Sequence, residues 1–259
     1  MSVDTVVIVR EVWDTRDLVG HILDDQGQIK SDVVTTRFEP EDLNALEMAL
    51  RLKDEAGGTV TVLSAGEPRA VDVLREALYR GADTAIRIPV DPAALDQQAL
   101  AAAYAEAIRA QSSWGLVLVG TTIPDGANSL LGAHLAAALD ADQVTWVDAL
   151  EEATDGNVVA KRAIEMGYES VAVALPAVLS VGVALLEDDP RAPRSAKAML
   201  KLKMKKTPIP DHALAAPVEP CTRIARHEAV PARAIESREV DADSEAELKA
   251  MLEEARKGE

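Results

Sequence analysis

Apolar residues in this chain fall into short continuous runs separated by stretches in which they recur every three or four positions. Thr5–Val9 is one such run, the pattern of a strand buried on both faces. Pro40 opens a helical stretch with Leu43, Leu46, Ala49 and Leu50 on one face, acids Glu41 and Asp42 in its first turn, and Gly57-Gly58 as its stop. Thr59–Ser64 is a second apolar strand, with Gly66 just beyond it. A helix from Pro68 to Arg80 turns Val71, Leu74, Ala77 and Leu78 inward and is capped by Gly81. Ala85–Ile88 reads as a third strand, Asp96–Gln111 as an Ala-rich helix and Leu116–Gly120 as a fourth strand. A loop and a further helix follow, and Val144–Val147 reads as another strand. Asn157–Ile164 and Ser170–Leu175 read as an antiparallel pair joined through Met166-Gly167-Tyr168. Trp13 to Lys30 is polar, with a turn at Asp24-Asp25-Gln26-Gly27.

Helix and strand alternate most clearly across Phe38–Ile88, which predicts an α/β fold with a mainly parallel sheet and helices on both faces. From Pro190 the texture changes. Prolines stand at 190, 193, 208, 210, 217, 220 and 231, and a final helix starts at Ser244 with Glu247 as its capping-box partner. The expected organisation is an α/β nucleotide-binding domain over 1–189 and an extended arm over 190–259 that lies on another surface.

Composition sharpens this picture. Hydrophobic residues make up 48% but aromatics only 3%, so the core is aliphatic, as suits a parallel sheet under Ala-rich helices. No apolar run approaches the ~18–20 residues of a membrane span, and the opening residues read as a strand, not a signal peptide. The lone Cys221 excludes an internal disulfide, and a reducing cytoplasm is the expected location. A net charge of −17 argues against nucleic acid. Arg191, Arg194, Lys197, Lys201, Lys203, Lys205 and Lys206 nonetheless form a local basic segment.

His21, His134, His212 and His227 stand at no metal-ligand or triad spacing, so neither a metal site nor a hydrolase is expected. Walker and G-x-G-x-x-G motifs are absent. Two strand ends remain as nucleotide sites: Ser64-Ala65-Gly66, and Gly120–Gly132, where N–H groups at a helix start suit a phosphate and Asp125, Asn128 and Ser129 add polarity. Gly66 and Gly126 serve equally well as plain tight turns, and both readings stand.

Several ordered blocks carry a family resemblance. They are Val9-Arg10-Glu11-Val12-Trp13-Asp14-Thr15; Glu39-Pro40 with Ala45, Glu47, Ala49, Leu52 and Lys53; and Ser64-Ala65-Gly66 with Leu74-Arg75-Glu76-Ala77-Leu78 and Gly81-Ala82-Asp83. Arg162, Glu165, Gly167, Glu169 and Leu175-Pro176-Ala177-Val178 follow, then Asp189-Pro190-Arg191 and the lysines up to Lys206. In order and spacing the chain resembles the β-subunit family of electron-transfer flavoproteins over almost its whole length. The resemblance implies an electron-transfer subunit without catalytic residues of its own, paired in a heterodimer with an α-subunit that carries the redox FAD. It also implies an adenine-nucleotide pocket at Ile8, Glu39, Pro40, Glu41, Asp42, Ser64, Ala65, Gly66 and the loop Gly120, Thr121, Thr122, Ile123, Pro124, Asp125, Gly126, Ala127, Asn128, Ser129, Leu130 and Leu131. The family anchors a partner flavin dehydrogenase of the acyl-CoA dehydrogenase type through one exposed leucine, for which Leu185 and Leu186 are the two candidates here, with strand-end core positions as the competing reading.

The chain departs from the family at Glu39, where Asn is usual, and at Leu130 and Leu131, which replace polar residues of the loop. In the family, electron-bifurcating members hold a second FAD in this subunit and simple carriers hold AMP. Small Thr15 and the run Asp42-Leu43-Asn44-Ala45-Leu46-Glu47 resemble the bifurcating type, whereas the altered loop removes polar partners. The reading adopted is a second FAD, with AMP in its place as the alternative. A contrasting function is a homodimeric, adenine-nucleotide-binding regulatory protein of universal-stress-like fold, which leaves the arm without a use.

Overall fold

The computed structural model describes residues 2–14, 16, 20, 22–24, 29–30, 33–122, 130–154, 156–182, 207–223, 225 and 244–257. Its elements are β1 (Thr5–Ile8), β2 (Glu11–Trp13), β3 (Thr36–Phe38), α1 (Pro40–Ala56), β4 (Val60–Ala65), α2 (Val71–Arg80), β5 (Thr84–Ile88), α3 (Gln97–Arg109) and β6 (Leu116–Gly120). Then come α4 (Leu131–Leu139), β7 (Asp142–Thr154), β8 (Asn157–Ile164), β9 (Gly167–Ala174), β10 (Ala177–Val181) and α5 (Glu245–Lys257). The chain divides into two compact units, Met1–Ala225 and Arg226–Glu259.

Ten strands form an eight-stranded sheet, β5-β4-β1-β6-β10-β7-β8-β9, and a β2-β3 ribbon. From β5 to β7 every pairing is parallel; β8 and β9 add antiparallel strands at one end. The period of two along each central strand divides the core. Val7, Val62, Leu118 and Leu179 pack under α1 and α2, while Val6, Ile8, Leu63, Val117 and Val178 pack under α3 and α4. Covering both faces explains why these strands read as unbroken apolar runs. The predicted elements through β6 are present within a residue or two, although the Pro68–Arg80 helix begins as a 3-10 turn at Pro68–Ala70.

Three features differ from expectation. Between β1 and the polar stretch lies β2, which pairs with β3 in a ribbon three residues long, too short for a periodic signal. Val144–Val147 lies in the first half of a 13-residue strand, β7, which serves both the parallel and the antiparallel part of the sheet. Ala177–Val181, noted in the sequence only as part of a family block, is β10, a fully buried strand between β6 and β7.

Residues 207–223, from the stretch expected to be an arm, lie on the α/β unit itself. The Arg87 N–H donates to Pro210 O and Arg87 O accepts from His212 N, which adds a bridge to the β5 edge. Arg87 pairs with Asp211 at 2.6 Å, Ala215 N donates to Glu106, and Thr222 N donates to Asp96. This strap covers a sheet edge that would otherwise expose unpaired backbone groups.

Candidate functional site

The chain runs β1, β4, β5 toward one side of the sheet and continues through β6 and β10 on the other, so the order reverses between β1 and β6. A crevice outside the carboxyl ends of the strands at such a reversal is the usual ligand position in open α/β sheets. Ile8, Ser64, Ala65, Gly66, Gly120, Thr121 and Thr122 all lie at the ends of β1, β4 and β6. Glu39, Pro40, Glu41 and Asp42 arrive from the start of α1, and Leu130 and Leu131 from the start of α4. Ile123, Pro124, Asp125, Gly126, Ala127, Asn128 and Ser129, like Leu185 and Leu186, lie outside the described residues.

On the α1 side the strand ends are occupied by the chain's own acids. Asp42, fully buried, accepts from Arg10 N, Arg10 Nε and Nη2, and Gly120 N, each at 2.8 Å. Arg10 Nη2 also reaches the carbonyls of Gly120 and Thr122 at 3.1 Å. Glu41 accepts from Thr122 N and Oγ1. Glu39 caps α1 by accepting from Asp42 N at 2.6 Å. Gly120 has to be glycine here: a Cβ would stand 2.7 Å from Asp42 Oδ1 and 2.8 Å from Arg10 Nη2. The first-turn acids Glu41 and Asp42 also tie α1 to the residues after β1 and to the end of β6.

The charges in this knot perturb one another. Burial opposes the Arg10 cation, but Asp42, the bonds to it and Glu39 outweigh that and hold its pKa above the ordinary arginine value. Glu39 shifts upward because burial and then the neighbouring Asp42 disfavour its anion more than Arg10, 3.8 Å away, favours it. Arg10 belongs at the centre of any account of this site, yet it entered the sequence reading only as part of the opening block. Nothing in a single Val-Arg-Glu signals that its partner is Asp42, 32 residues on.

The α3 and α4 side is different. Ala65 N donates to the buried Tyr104 hydroxyl, Gly66 N to Ile88 O and Thr121 N to Val181 O, so these strand-end donors are also satisfied. The missing side chain of Gly66 makes room for Ala70, whose Cβ would lie 2.7 Å from an added Cβ. Ile8 and Leu131 are core side chains, while Leu130 is exposed. Two polar features stay open. Among the described residues the buried hydroxyl of Thr121 has no partner and no side chain caps α4, whose N-cap position is Leu130. Thr121 directly follows β6, whose Val117 and Val119 pack with Leu131 and Leu135 of α4. An uncapped helix start beside an unpartnered hydroxyl fits the anionic end of a nucleotide. Ser64 Oγ is also buried without a partner but faces the α1 side.

Among the described residues no group of acids, histidines or cysteine could hold a metal ion, and no helix is long and apolar enough to cross a membrane. Residues 28–216 match the electron transfer flavoprotein domain. A Thermoanaerobacterium thermosaccharolyticum protein, electron transfer flavoprotein subunit beta, is 35% identical over 180 residues, 68% of this chain and 66% of that one. The chain thus spans just under two thirds of that relative. The subunit of the same name from Syntrophomonas wolfei is 32% identical over 217 residues, 83% and 82% of the two chains. Subunit CarD of the caffeyl-CoA reductase-Etf complex of Acetobacterium woodii is 35% identical over 189 residues, 72% and 70% of the two. The domain matched over most of this length, and relatives of one kind at this identity, mean that the chain belongs to the electron transfer flavoprotein family, on its β-subunit branch.

Proposed function

We propose that this chain is the non-catalytic half of a heterodimer with a flavin-bearing α-subunit, and that the pair passes electrons to or from a flavin dehydrogenase of the acyl-CoA dehydrogenase type. A bound flavin supplies the redox chemistry; this subunit positions and shields it. The observation that carries the ligand part of the reading is the uncapped start of α4 beside Thr121 at the sheet's reversal point. The neighbouring donors of β1, β4 and β6 are already committed, so a pyrophosphate or phosphate is held by α4 and by the 123–129 segment, with Asp125, Asn128 and Ser129. We assign FAD to this position, with AMP as its alternative, and cytoplasm as the location. The 226–259 unit, with Leu248, Met251 and Leu252 exposed along α5, packs on the α-subunit. A helix of 13 residues does not hold its shape on propensity alone, which supports that docking. The regulatory, universal-stress-like alternative is not favoured, since the family match runs through the sheet and the strap.

Co-expression with the α-subunit, purification, and release of ligands by denaturation test the reading. Two FAD per heterodimer is the expected count. One FAD with one AMP overturns the second flavin, and a colourless homodimer overturns the electron-transfer reading as a whole.

A further inference from the structure

On the α1 and α2 face, α1 and β7 line a cavity of about 160 Å³. Its floor is apolar: Met48 and Leu52 are buried, and Leu150 and Ala153 are half-buried. Its rim carries the carboxylates of Glu55, Asp148 and Glu152. The rim's one cation, Arg51, is held by Glu47 at 2.9 Å. Asp148 is drawn partly out of water, and burial raises its pKa against the pull of Lys161 from β8.

We propose that this cavity is a docking pocket for a lysine side chain of a protein partner in the heteromeric complex. An apolar floor below a ring of carboxylates suits a side chain with a hydrocarbon stem and a cationic tip. The volume is close to that of a cavity that accepts benzene, room enough for four methylenes. The three carboxylates come from two elements and do not converge as a metal cluster. They match the rotatable donors of an ammonium better than the flat fork of a guanidinium, which seeks one bidentate carboxylate. An apolar or anionic occupant would leave three acids beside a low-dielectric contact, which is costly. The inference rests on the heterodimer proposed above.

Carbodiimide cross-linking of the purified heterodimer, followed by peptide mass spectrometry, tests it. The expected result is a link from Glu55, Asp148 or Glu152 to a lysine of the α-subunit. The double variant Asp148→Asn/Glu152→Gln should weaken association about tenfold, the scale of a substantial interface contact. Ala153→Met, which fills the floor without touching charge, should weaken it similarly. Links only within this chain, or both variants associating as the wild type does, overturn the pocket. A preparation in which no α-subunit associates with the wild-type chain overturns the heterodimer instead.

Discussion

Glu39 makes stability depend on pH in a direction opposite to that of most carboxylates. Its pKa is pushed up to about 8 in the folded chain, chiefly by burial and then by Asp42, whereas an unfolded glutamate titrates near 4.5. The folded state therefore holds this proton more tightly. Its contribution to stability is complete below the unfolded value, shrinks as pH rises, and is gone above the folded value. Each unit of separation corresponds to about 1.4 kcal/mol, and coupling to Arg10 and Asp42 spreads the titration. A loss of about 2–4 kcal/mol between pH 5 and pH 8.5 is expected. In Glu39→Gln the amide oxygen can still accept from Asp42 N, but there is no proton to lose. Urea unfolding followed by circular dichroism, at half-unit steps of pH, gives both curves. Groups common to both proteins cancel in the difference. Wild type should lose stability relative to Glu39→Gln as pH rises; parallel curves would refute the buried protonated acid.

Arg10→Met leaves Asp42 buried and unpaired and should cost about 3–5 kcal/mol in the same unfolding assay, with Arg10→Lys intermediate. Gly120→Ala forces a methyl against Asp42 and Arg10 and should cost about 1–3 kcal/mol in that assay, and an unchanged stability would refute the close contact. Asp96→Asn weakens the acceptor for both Ala99 N at the start of α3 and Thr222 N of the strap. Faster amide exchange near Thr222 than at β6 is the expected signature, and unchanged exchange there would show that the strap is held elsewhere. Leu185→Ala and Leu186→Ala, at constant flavin content, should between them slow electron transfer from a partner dehydrogenase; if neither does, docking lies elsewhere.

The parallel core was legible because both faces of β1, β4 and β6 are covered, which leaves runs such as Val6-Val7-Ile8 with no polar interruption. Caps were legible for the same local reason: Gly57 and Gly81 end α1 and α2 with positive φ, at 77° and 134°. What escaped was set by distance. β10 follows β9 with a gap of two residues, Leu175 and Pro176, so local pattern gives no hint that the chain leaves the antiparallel end and inserts between β6 and β7. The strap at 207–223 lacks periodicity because its backbone follows an existing edge and its few apolar side chains, Ile209, Leu214 and Val218, cover cores built by other elements.

The candidate site divides along the same line. Its proposed location at the strand ends rests on Gly66, Gly120 and the helix starts, which are local features of the sequence. Its chemistry could not, because donors that look free in the sequence are taken by partners far along the chain: Gly120 N by Asp42, Thr122 N by Glu41, Ala65 N by Tyr104. Two helix starts thus face the crevice with opposite roles. That of α1 is filled by Glu39 and crowded with carboxylates, which disfavours an anion there. That of α4, headed by Leu130, has no cap, so its N–H dipoles remain available to one. The substitution of leucine for a polar residue at 130 thus removes a side-chain donor without closing the backbone site.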